Sequence, residues 1–458
     1  MEEIKHKIAS WKGPVTFKSL KEFIDGLDQS DIDYENWLTD PQSPGDYGRT
    51  ILTLEPFECV LIHWPAGVGS AVHLHEGLFG YVWILEGDLD NIFFQHREDQ
   101  LIEKNSTRYV KGGLIPEPDG VIHKLQNPTN KRAVSLHFYY PAIESFDGMK
   151  LFDLDSGSIG ELSDQAQTAS WNTTPGHFKE VSEKAFQFTS FAEWNSAKSH
   201  VMVNVIPKPE PNRIREMNGA YFSEQAHRYD FSDFNQPSRQ RYVSQVDQLV
   251  AEYLGSLPKV NDVLDIAVGT GRRALSIREM SKQPYTIHGV DISDEMCAIA
   301  TDRGIDVHNQ DWVHGAEIDV EPLDAITFLY AFGHLANRET RMAAVQRVYR
   351  YLKPGGLFFL DLFSLRNVNE WGPRAMERYE NSHLDQQGYE RGDVFYRKTG
   401  LQEIAFVHYF TREEALNLLA ENGFELVKMH CIGYAKNPGE LVESEEKGNM
   451  FIVARKSS

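Results

Sequence analysis

The sequence predicts a multidomain chain, an all-β domain followed by an α/β domain, and three observations carry this. Between about Ile51 and Tyr140 the chain runs in short β-rich stretches broken by glycine and proline, the pattern of strands closing into one barrel-like unit. From about Ile214 onward strands and helices alternate, the mark of a doubly wound sheet. Each region also holds one concentrated motif. The first has two histidines at i and i+2, His73 and His75; the second has a strand running into the turn Val268-Gly269-Thr270-Gly271.

Composition bounds the function classes. A length of 458 residues allows two or three domains with two buried cores. The net charge of -21 argues against a nucleic-acid or anionic-membrane partner, both of which need a basic surface. Three scattered cysteines, Cys59, Cys297 and Cys431, fit a reducing cytosol and no disulfide framework. The start Met1-Glu2-Glu3-Ile4-Lys5-His6 has no apolar h-region, and no apolar run reaches membrane-spanning length. A cytoplasmic protein with no membrane and no nucleic-acid partner is expected.

Taken in order, Ser19 to Leu38 is expected to be helical, with Leu20, Phe23, Ile24 and Leu27 spaced for one buried face. Strands are expected over Phe57–Trp64 and Gly80–Leu85. Side chains two residues apart on a strand leave the same face, so His73 and His75 can converge on one metal ion. The glycines before them suit a tight turn. A third histidine, His123, lies downstream in Pro116-Glu117-Pro118-Asp119-Gly120-Val121-Ile122-His123. Glu76 directly follows His75 and points to the other face, and Phe79 and Gly80 cannot coordinate. The expected site is three neutral histidines with no carboxylate, unlike a 2-His-1-carboxylate centre. Its open positions suit an anionic ligand brought by the substrate, such as a thiolate. Strand-borne histidines of this kind build the metal site of a cupin jelly roll.

These residues resemble the thiol dioxygenases, and cysteine dioxygenase in particular. The family's glycine, His-x-His and later glycine are matched by Gly67, His73, His75 and Gly87, and its His with Asn four residues on by His123 and Asn127. Its Ser-x-His-x-Tyr series is matched by Ser135, His137 and Tyr139, and its Tyr-x-Arg by Tyr47 and Arg49. The resemblance implies Fe(II) held by His73, His75 and His123, with Tyr139 directed at the iron and supported by His137 and Ser135. It implies Arg49 as the clamp on a substrate carboxylate, work that a guanidinium does bidentately. Relatives preferring 3-mercaptopropionate carry glutamine there, so cysteine is the implied thiol and dioxygen its co-substrate. The cysteine that crosslinks to the tyrosine in animal enzymes falls at Gly80, so that crosslink is lost. His63 is expected to be an ordinary core or surface imidazole.

Between Gly157 and Asn212 the signal weakens to polar residues, a possible strand His200–Ile206 and the stiff run Pro207-Lys208-Pro209-Glu210-Pro211. Beyond it, the strand Asp262–Ala267 enters the glycine turn ahead of a helix, and small residues there let a ligand approach the helix N-terminus. Gly269-x-Gly271-x-x-Ala274 also fits a nicotinamide-dinucleotide fingerprint. The surroundings decide, because the stretch resembles the class I S-adenosylmethionine-dependent methyltransferases. Their glycine motif is matched by Asp265, Ala267, Gly269 and Gly271, with alanine in place of the first glycine; Asp291 matches the ribose-binding acid, and Asp311-Trp312 the adenine motif. Ile292 and Phe328 are counted with the cofactor site. Leu352-Lys353-Pro354-Gly355-Gly356 matches the turn before the fifth strand. His334 follows the fourth strand, where methyl-acceptor sites lie, and is a candidate catalytic residue or a helix-start histidine. The insertion Arg366–Tyr409, with a hairpin from Val394–Tyr396 and Ile404–Val407, is the expected acceptor lid, and its Arg391 and Arg397 are candidates to hold an anion.

The expected organisation is a cupin thiol dioxygenase-like domain over 1–160, a connector over 161–212 and a Rossmann-like methyltransferase domain over 213–458. Function is expected to be bifunctional: iron-dependent oxidation of cysteine to its sulfinate, and methylation of a small molecule, which the amine of that sulfinate suits. The alternatives are a cupin that only senses a ligand for the methyltransferase, or one that acts on a larger thiol.

Overall fold

Alternation with a period of two builds the first unit. Its leading strands are β1 (Gly48–Thr53), β2 (Glu58–Trp64), β3 (Val72–Leu74), β4 (Phe79–Glu86), β5 (Asp88–Arg97), β6 (Gln100–Val110), β7 (Leu114–Glu117), β8 (Ile122–Gln126) and β9 (Ala133–Tyr140). In the computed structural model one antiparallel sheet has the order β1-β2-β9-β4-β7, and a second sets β3, β8, β5 and β6 side by side. Successive side chains on a strand leave opposite faces. Val60, Ile62 and Trp64 of β2 therefore meet Leu89, Tyr109 and Leu125 of the other sheet in one core. Cys59 and Leu61 face the opposite way and pack with Ile4, Ile8, Leu20 and Ile24 of two helices, Glu2–Ala9 and Phe17–Asp25. The structure describes residues 1–97, 99–171, 176–190, 200–226, 229–230, 236–398 and 403–457.

The helix expected over Ser19 to Leu38 is shorter. Thr16 caps its start in a reciprocal pair of hydrogen bonds with Ser19, and Gly26 ends it. The Asp28 carboxylate then accepts from the Ser30 amide and opens a short 3-10 turn, Gln29–Asp31. Such side chains compete with the helix for backbone donors. The stretch 161–212, expected as a connector, contains the strands Phe178–Ser182, Gln187–Thr189 and His200–Ile206, the last two parallel to β6. Residues 172–175 and 191–199 of it lie outside the described residues. The first unit ends at Pro209, and the second comprises Glu210–Lys398 with Glu403–Ser458.

The second unit is a mainly parallel sheet. Its strands stand in the order Asp306–Asn309, Thr286–Asp291, Asp262–Ile266, Leu323–Phe328, Leu352–Leu362, Asn449–Lys456 and Phe424–Ile432. The first five are parallel, Asn449–Lys456 is antiparallel to both its neighbours, and Phe424–Ile432 returns to the direction of the first five. Two apolar cores flank it, one holding Val345 and Leu418, the other Val250 and Ile277. Asp262–Ile266 lies between the strand that follows it in sequence and Leu323–Phe328. The chain order reverses there, and open α/β sheets bind ligands at the carboxyl ends of strands beside such a switch. Among the described residues no helix is long and apolar enough to cross a membrane, which does not bear on β-barrels.

The expected hairpin forms, from Asp393–Lys398 and Ile404–His408. At its base lies a buried charge network. His408 bonds Asp393 through Nδ1 at 2.7 Å and Glu414 through Nε2 at 3.0 Å, so both ring nitrogens face carboxylates. Arg341, 1% exposed, bonds Glu390 and Glu414. Glu390, Asp393 and His408 stand at metal-ligand spacing, but the histidine's nitrogens are already donating and Arg341 balances the acids. This is an ion network that pins the hairpin. Burial and Arg341 oppose charge on His408, yet the bonds to Asp393 and Glu414 outweigh them and raise its pKa above the ordinary 6.5. His408→Leu takes the histidine from the buried Asp393 carboxylate and is expected to lower stability by about 3–5 kcal/mol. A raised folded pKa stabilises most below the unfolded value of about 6.5. The gap in melting temperature between parent and variant should thus be widest in acid and narrow as pH rises through the raised value.

Candidate metal centre and cofactor cleft

Strand pairing assembles the candidate metal centre. In the antiparallel pair of β3 and β8, His73 stands directly opposite His123, and His75 follows two residues on. All three are buried, and their ring centroids lie 4.6–4.9 Å apart. Nε2 of His75 is 2.8 Å from that of His73 and 3.4 Å from that of His123. Behind the rings, Nδ1–H of His73 donates to the Ala71 carbonyl and Nδ1–H of His123 to Asn91 Oδ1, both at 2.9 Å. These bonds fix the tautomer of His73 and His123, leaving each of those two Nε2 atoms a lone pair facing the centre. Burial lowers the pKa of His73 to about 4, and burial with the neighbouring imidazoles holds His75 and His123 well below their usual value. Neutral imidazoles whose Nε2 atoms converge can serve as donors to a divalent metal.

Beside them β9 carries a directional relay. Trp64 Nε1–H donates to Ser135 Oγ at 2.8 Å, and Ser135 O–H to His137 Nε2 at 2.8 Å. Nδ1–H of His137 then donates to the Tyr139 oxygen at 2.9 Å. Burial, then Arg49, lowers the pKa of His137 to about 3, so the ring is neutral, as the relay needs. Tyr139 O–H in turn donates to Glu117 at 2.7 Å. A carboxylate therefore does stand beside the histidines, contrary to expectation. Burial raises the Glu117 pKa to about 8, against the Tyr139 bond, and its oxygens lie 3.7 Å from His75 and from His123. It arrives from β7, where it pairs with Gly80, and Gly80 also pairs with Tyr139. Its only mark in the sequence is the prolines on either side.

Tyr47 and Arg49 line the same cavity as His73, His75 and Tyr139. The Tyr47 oxygen accepts from the Ala169 amide at 2.8 Å. Arg49 is ion-paired with fully buried Glu58, which also accepts from the Ile143 amide, and it sits over the Phe146 ring. That pairing aims the guanidinium and leaves it further donors.

In the second unit the turn after Asp262–Ile266 is wound left-handed, with φ of 57° at Ala267, 55° at Gly269 and 76° at Gly271. A Cβ on Gly271, which precedes the helix Arg272–Ser281, would meet Ile305. Ala267 carries a Cβ in that conformation, at a cost of about 1–2 kcal/mol. Asp291 gathers the turn, accepting from the Gly269 amide at 2.8 Å and the Ser293 amide at 3.0 Å. One cleft is lined by Ala267, Gly269, Asp291, Ile292, Asp311, Trp312, Phe328 and His334. Asp265 is not among its lining residues: it is buried and accepts from Thr327 Oγ1 at 2.6 Å. It holds two adjacent strands together instead. Asp311 accepts from Arg215 at 2.6 Å.

His334 Nδ1–H donates to the Phe406 carbonyl at 2.6 Å, and burial lowers its pKa to about 4, leaving Nε2 unprotonated. Arg391 is exposed and paired with Glu380, and neither it nor Arg397 lines the cleft. Of the arginines that do line it, Arg215, Arg239, Arg272 and Arg273, Arg239 donates to the Tyr229 hydroxyl at 2.8 Å and lies 4.8 Å over the Tyr330 ring. No motif announced it, because the helix Pro237–Gly255 that bears it lies outside the glycine turn.

Residues 46–153 match the family model for cysteine dioxygenase type I, and residues 238–429 that for a methyltransferase domain. The chain joins a cysteine dioxygenase-type domain to a methyltransferase domain. Both are enzyme domains, and their cofactors are iron and S-adenosylmethionine. Among curated relatives, a ubiquinone/menaquinone biosynthesis C-methyltransferase of Geobacter sulfurreducens is 33% identical over 110 residues, 22% of this chain and 41% of that protein. One from Pseudomonas putida is 25% identical over 177 residues, 37% of this chain and 67% of that protein. The chain thus spans about two fifths of one relative and two thirds of the other. A solved S-adenosylmethionine-dependent methyltransferase of Methanosarcina mazei is 19% identical, TM-score 0.36, covering 44% of this chain and 94% of its own. The Burkholderia thailandensis 1,6-didemethyltoxoflavin-N1-methyltransferase is 16% identical, TM-score 0.38, covering 57% and 95%.

In the cysteine dioxygenase-type domain, Gly80 lets Tyr139 approach, since a Cβ there would collide with its ring and with the Phe138 carbonyl. Gly80→Ala is expected to cost about 1–3 kcal/mol through overpacking. Thermal unfolding with near-ultraviolet circular dichroism checks both the loss and the displaced tyrosine.

Proposed function

We propose that the chain is a bifunctional enzyme, oxidising the thiol of cysteine to a sulfinic acid and methylating a small molecule. The first unit is then a cupin jelly roll whose iron ligands include His73, His75 and His123. The observation that carries this is the convergence of three Nε2 atoms beside a cavity lined by His73, His75 and Arg49. Iron bound there supplies the dioxygen chemistry, by which thiol and O2 become sulfinic acid with both oxygen atoms on sulfur.

The chain's own residues bind and orient. Arg49, aimed by Glu58, holds the substrate carboxylate with its remaining N–H groups. Tyr139, held by His137, presents its hydroxyl beside the metal ligands. Leu125, Ile143 and Met149 line the rest of the cavity and keep water from the sulfur.

In the second unit, Asp291 receives the ribose of S-adenosylmethionine, with Ile292, Asp311, Trp312 and Phe328 around the adenine. The acceptor lies toward Arg239, Tyr330 and His334. A guanidinium among aromatic rings suits an acceptor bearing an acidic group, and the unprotonated Nε2 of His334 suits removal of a proton from an amine. Cysteine sulfinate fits both demands, and tethering raises its local concentration for the second reaction. Three free, buried cysteines accord with a reducing, cytoplasmic setting.

To test the sequence of reactions, iron-loaded protein is given cysteine, and oxygen uptake and sulfinate are followed by mass spectrometry. His123→Ala protein then receives cysteine sulfinate and labelled S-adenosylmethionine. Label on the sulfinate is expected; label only on cysteine or an unrelated amine overturns the coupling. Separately, Arg49→Gln combined with Glu58→Gln leaves no unpaired buried carboxylate. It is expected to raise KM for cysteine about 10–100-fold, the worth of charge-assisted hydrogen bonds.

A further inference from the structure

Asn218 lies on the helix Pro211–Gln225, is 4% exposed and lines the methyltransferase cleft. Both ends of its side-chain amide are bonded. Oδ1 accepts from the Phe406 amide at 2.7 Å, and Nδ2–H donates to the His334 carbonyl at 3.0 Å. His334 Nδ1–H in turn donates to the Phe406 carbonyl at 2.6 Å. Three hydrogen bonds thus close a ring through three segments that are distant in sequence. With an N–H on one side and a carbonyl on the other, the partners themselves decide which end of the Asn218 amide is oxygen.

Local structure explains why the ring closes here. The strand Ile404–His408 pairs with Asp393–Lys398 on one side, and among the described residues no strand pairs with its other edge. Both polar groups of Phe406 leave through that open edge, where Asn218 and His334 stand in for the missing strand. The short turn Phe332–His334 comes close because Gly333 has no side chain: a Cβ there would meet the His408 carbonyl and the Val407 side chain at 3.0 Å. From the helix, Phe222, about one turn beyond Asn218, sets its ring edge-on to the imidazole, with centroids 5.0 Å apart.

Building on the reading of His334 as the group that takes the acceptor's proton, we propose that Asn218 is its positioning residue, holding the imidazole in the Nδ1–H form that leaves Nε2 its lone pair. One bond fixes the backbone that carries the ring. The other fixes the strand whose carbonyl holds the ring's proton. A neutral imidazole released from such a carbonyl shares its proton between both nitrogens. Nε2 then carries it for part of the time, and a protonated Nε2 accepts nothing from an incoming amine. Leucine at this position fills a similar volume and makes neither bond. Aspartate would set an oxygen against the His334 carbonyl, so asparagine is the residue that answers both partners.

The test compares full-length parent, Asn218→Leu and His334→Gln, each labelled with nitrogen-15 in its histidines. Nitrogen chemical shifts report which ring nitrogen carries the proton, and the signals absent from His334→Gln identify those of His334. The parent is expected to show Nδ1 protonated and Nε2 unprotonated. Asn218→Leu is expected to show both nitrogens at intermediate shifts, the mark of mixed tautomers. A variant that keeps the parental Nδ1–H signature overturns the proposal, whatever its stability, because a residue that only packs the helix leaves the tautomer unchanged. If leucine prevents folding, Asn218→Ala, which removes both bonds with a smaller side chain, is read in the same way. With cysteine sulfinate and labelled S-adenosylmethionine, Asn218→Leu is expected to lower kcat about 100-fold, the lower end of what a positioned base contributes. An effect confined to KM overturns the proposal. Failure of the underlying reading looks different: the parent itself would transfer no label to the sulfinate, while the nitrogen shifts would still decide what Asn218 does to His334.

Discussion

The cross-strand register between β3 and β8 is the constraint on which the first unit's chemistry depends. It sets His73 opposite His123, and a slip of one residue would turn that set of side chains to the other face. The short β3 is pinned on both sides, by β8 and by the strand Lys150–Asp153, whose Leu151 pairs with His73. The candidate metal centre is therefore a property of the sheet interior. Three neutral imidazoles are kept there by burial, and Ala71 and Asn91 decide which nitrogen of two of them carries the proton.

The same economy of buried polar groups runs through the rest of that unit. Each hydrogen of the relay from Trp64 to Glu117 has a single acceptor, so the chain of donors has a direction. Arg49 is paired with a wholly buried carboxylate, which fixes a long side chain before any ligand is bound. Removing a single member of such a pair leaves an uncompensated charge, so these residues act as sets.

The second unit concentrates its strain where a ligand approaches. Ala267, Gly269 and Gly271 share the left-handed turn, and Tyr330, at the end of the neighbouring strand, has φ 62° with its amide bonded to Asp361. Non-glycine residues in this region persist only where surrounding structure compels them. Here the compulsion comes from Asp291 and Asp361, whose carboxylates collect backbone donors at the carboxyl ends of the strands. The result is a cleft formed by backbone, with His334, Arg239 and aromatic rings at one part of its wall.

Local order in the sequence determined the two fold classes, the trio His73, His75 and His123, the Ser135-His137-Tyr139 series and the glycine turn. Each is legible because strand alternation and turn chemistry act over neighbouring residues, and a face or a positive φ follows from spacing alone. Tertiary structure decided what meets these elements. Glu117 reaches Tyr139 only because β7 and β9 both flank β4; Asp265 turns to Thr327 on the adjacent strand; and Arg239, rather than Arg391 or Arg397, lines the cleft. Partners of that kind are far apart in the chain and share no period. Their meeting is set by sheet order and by the need to pair every buried charge, which no single stretch of sequence expresses.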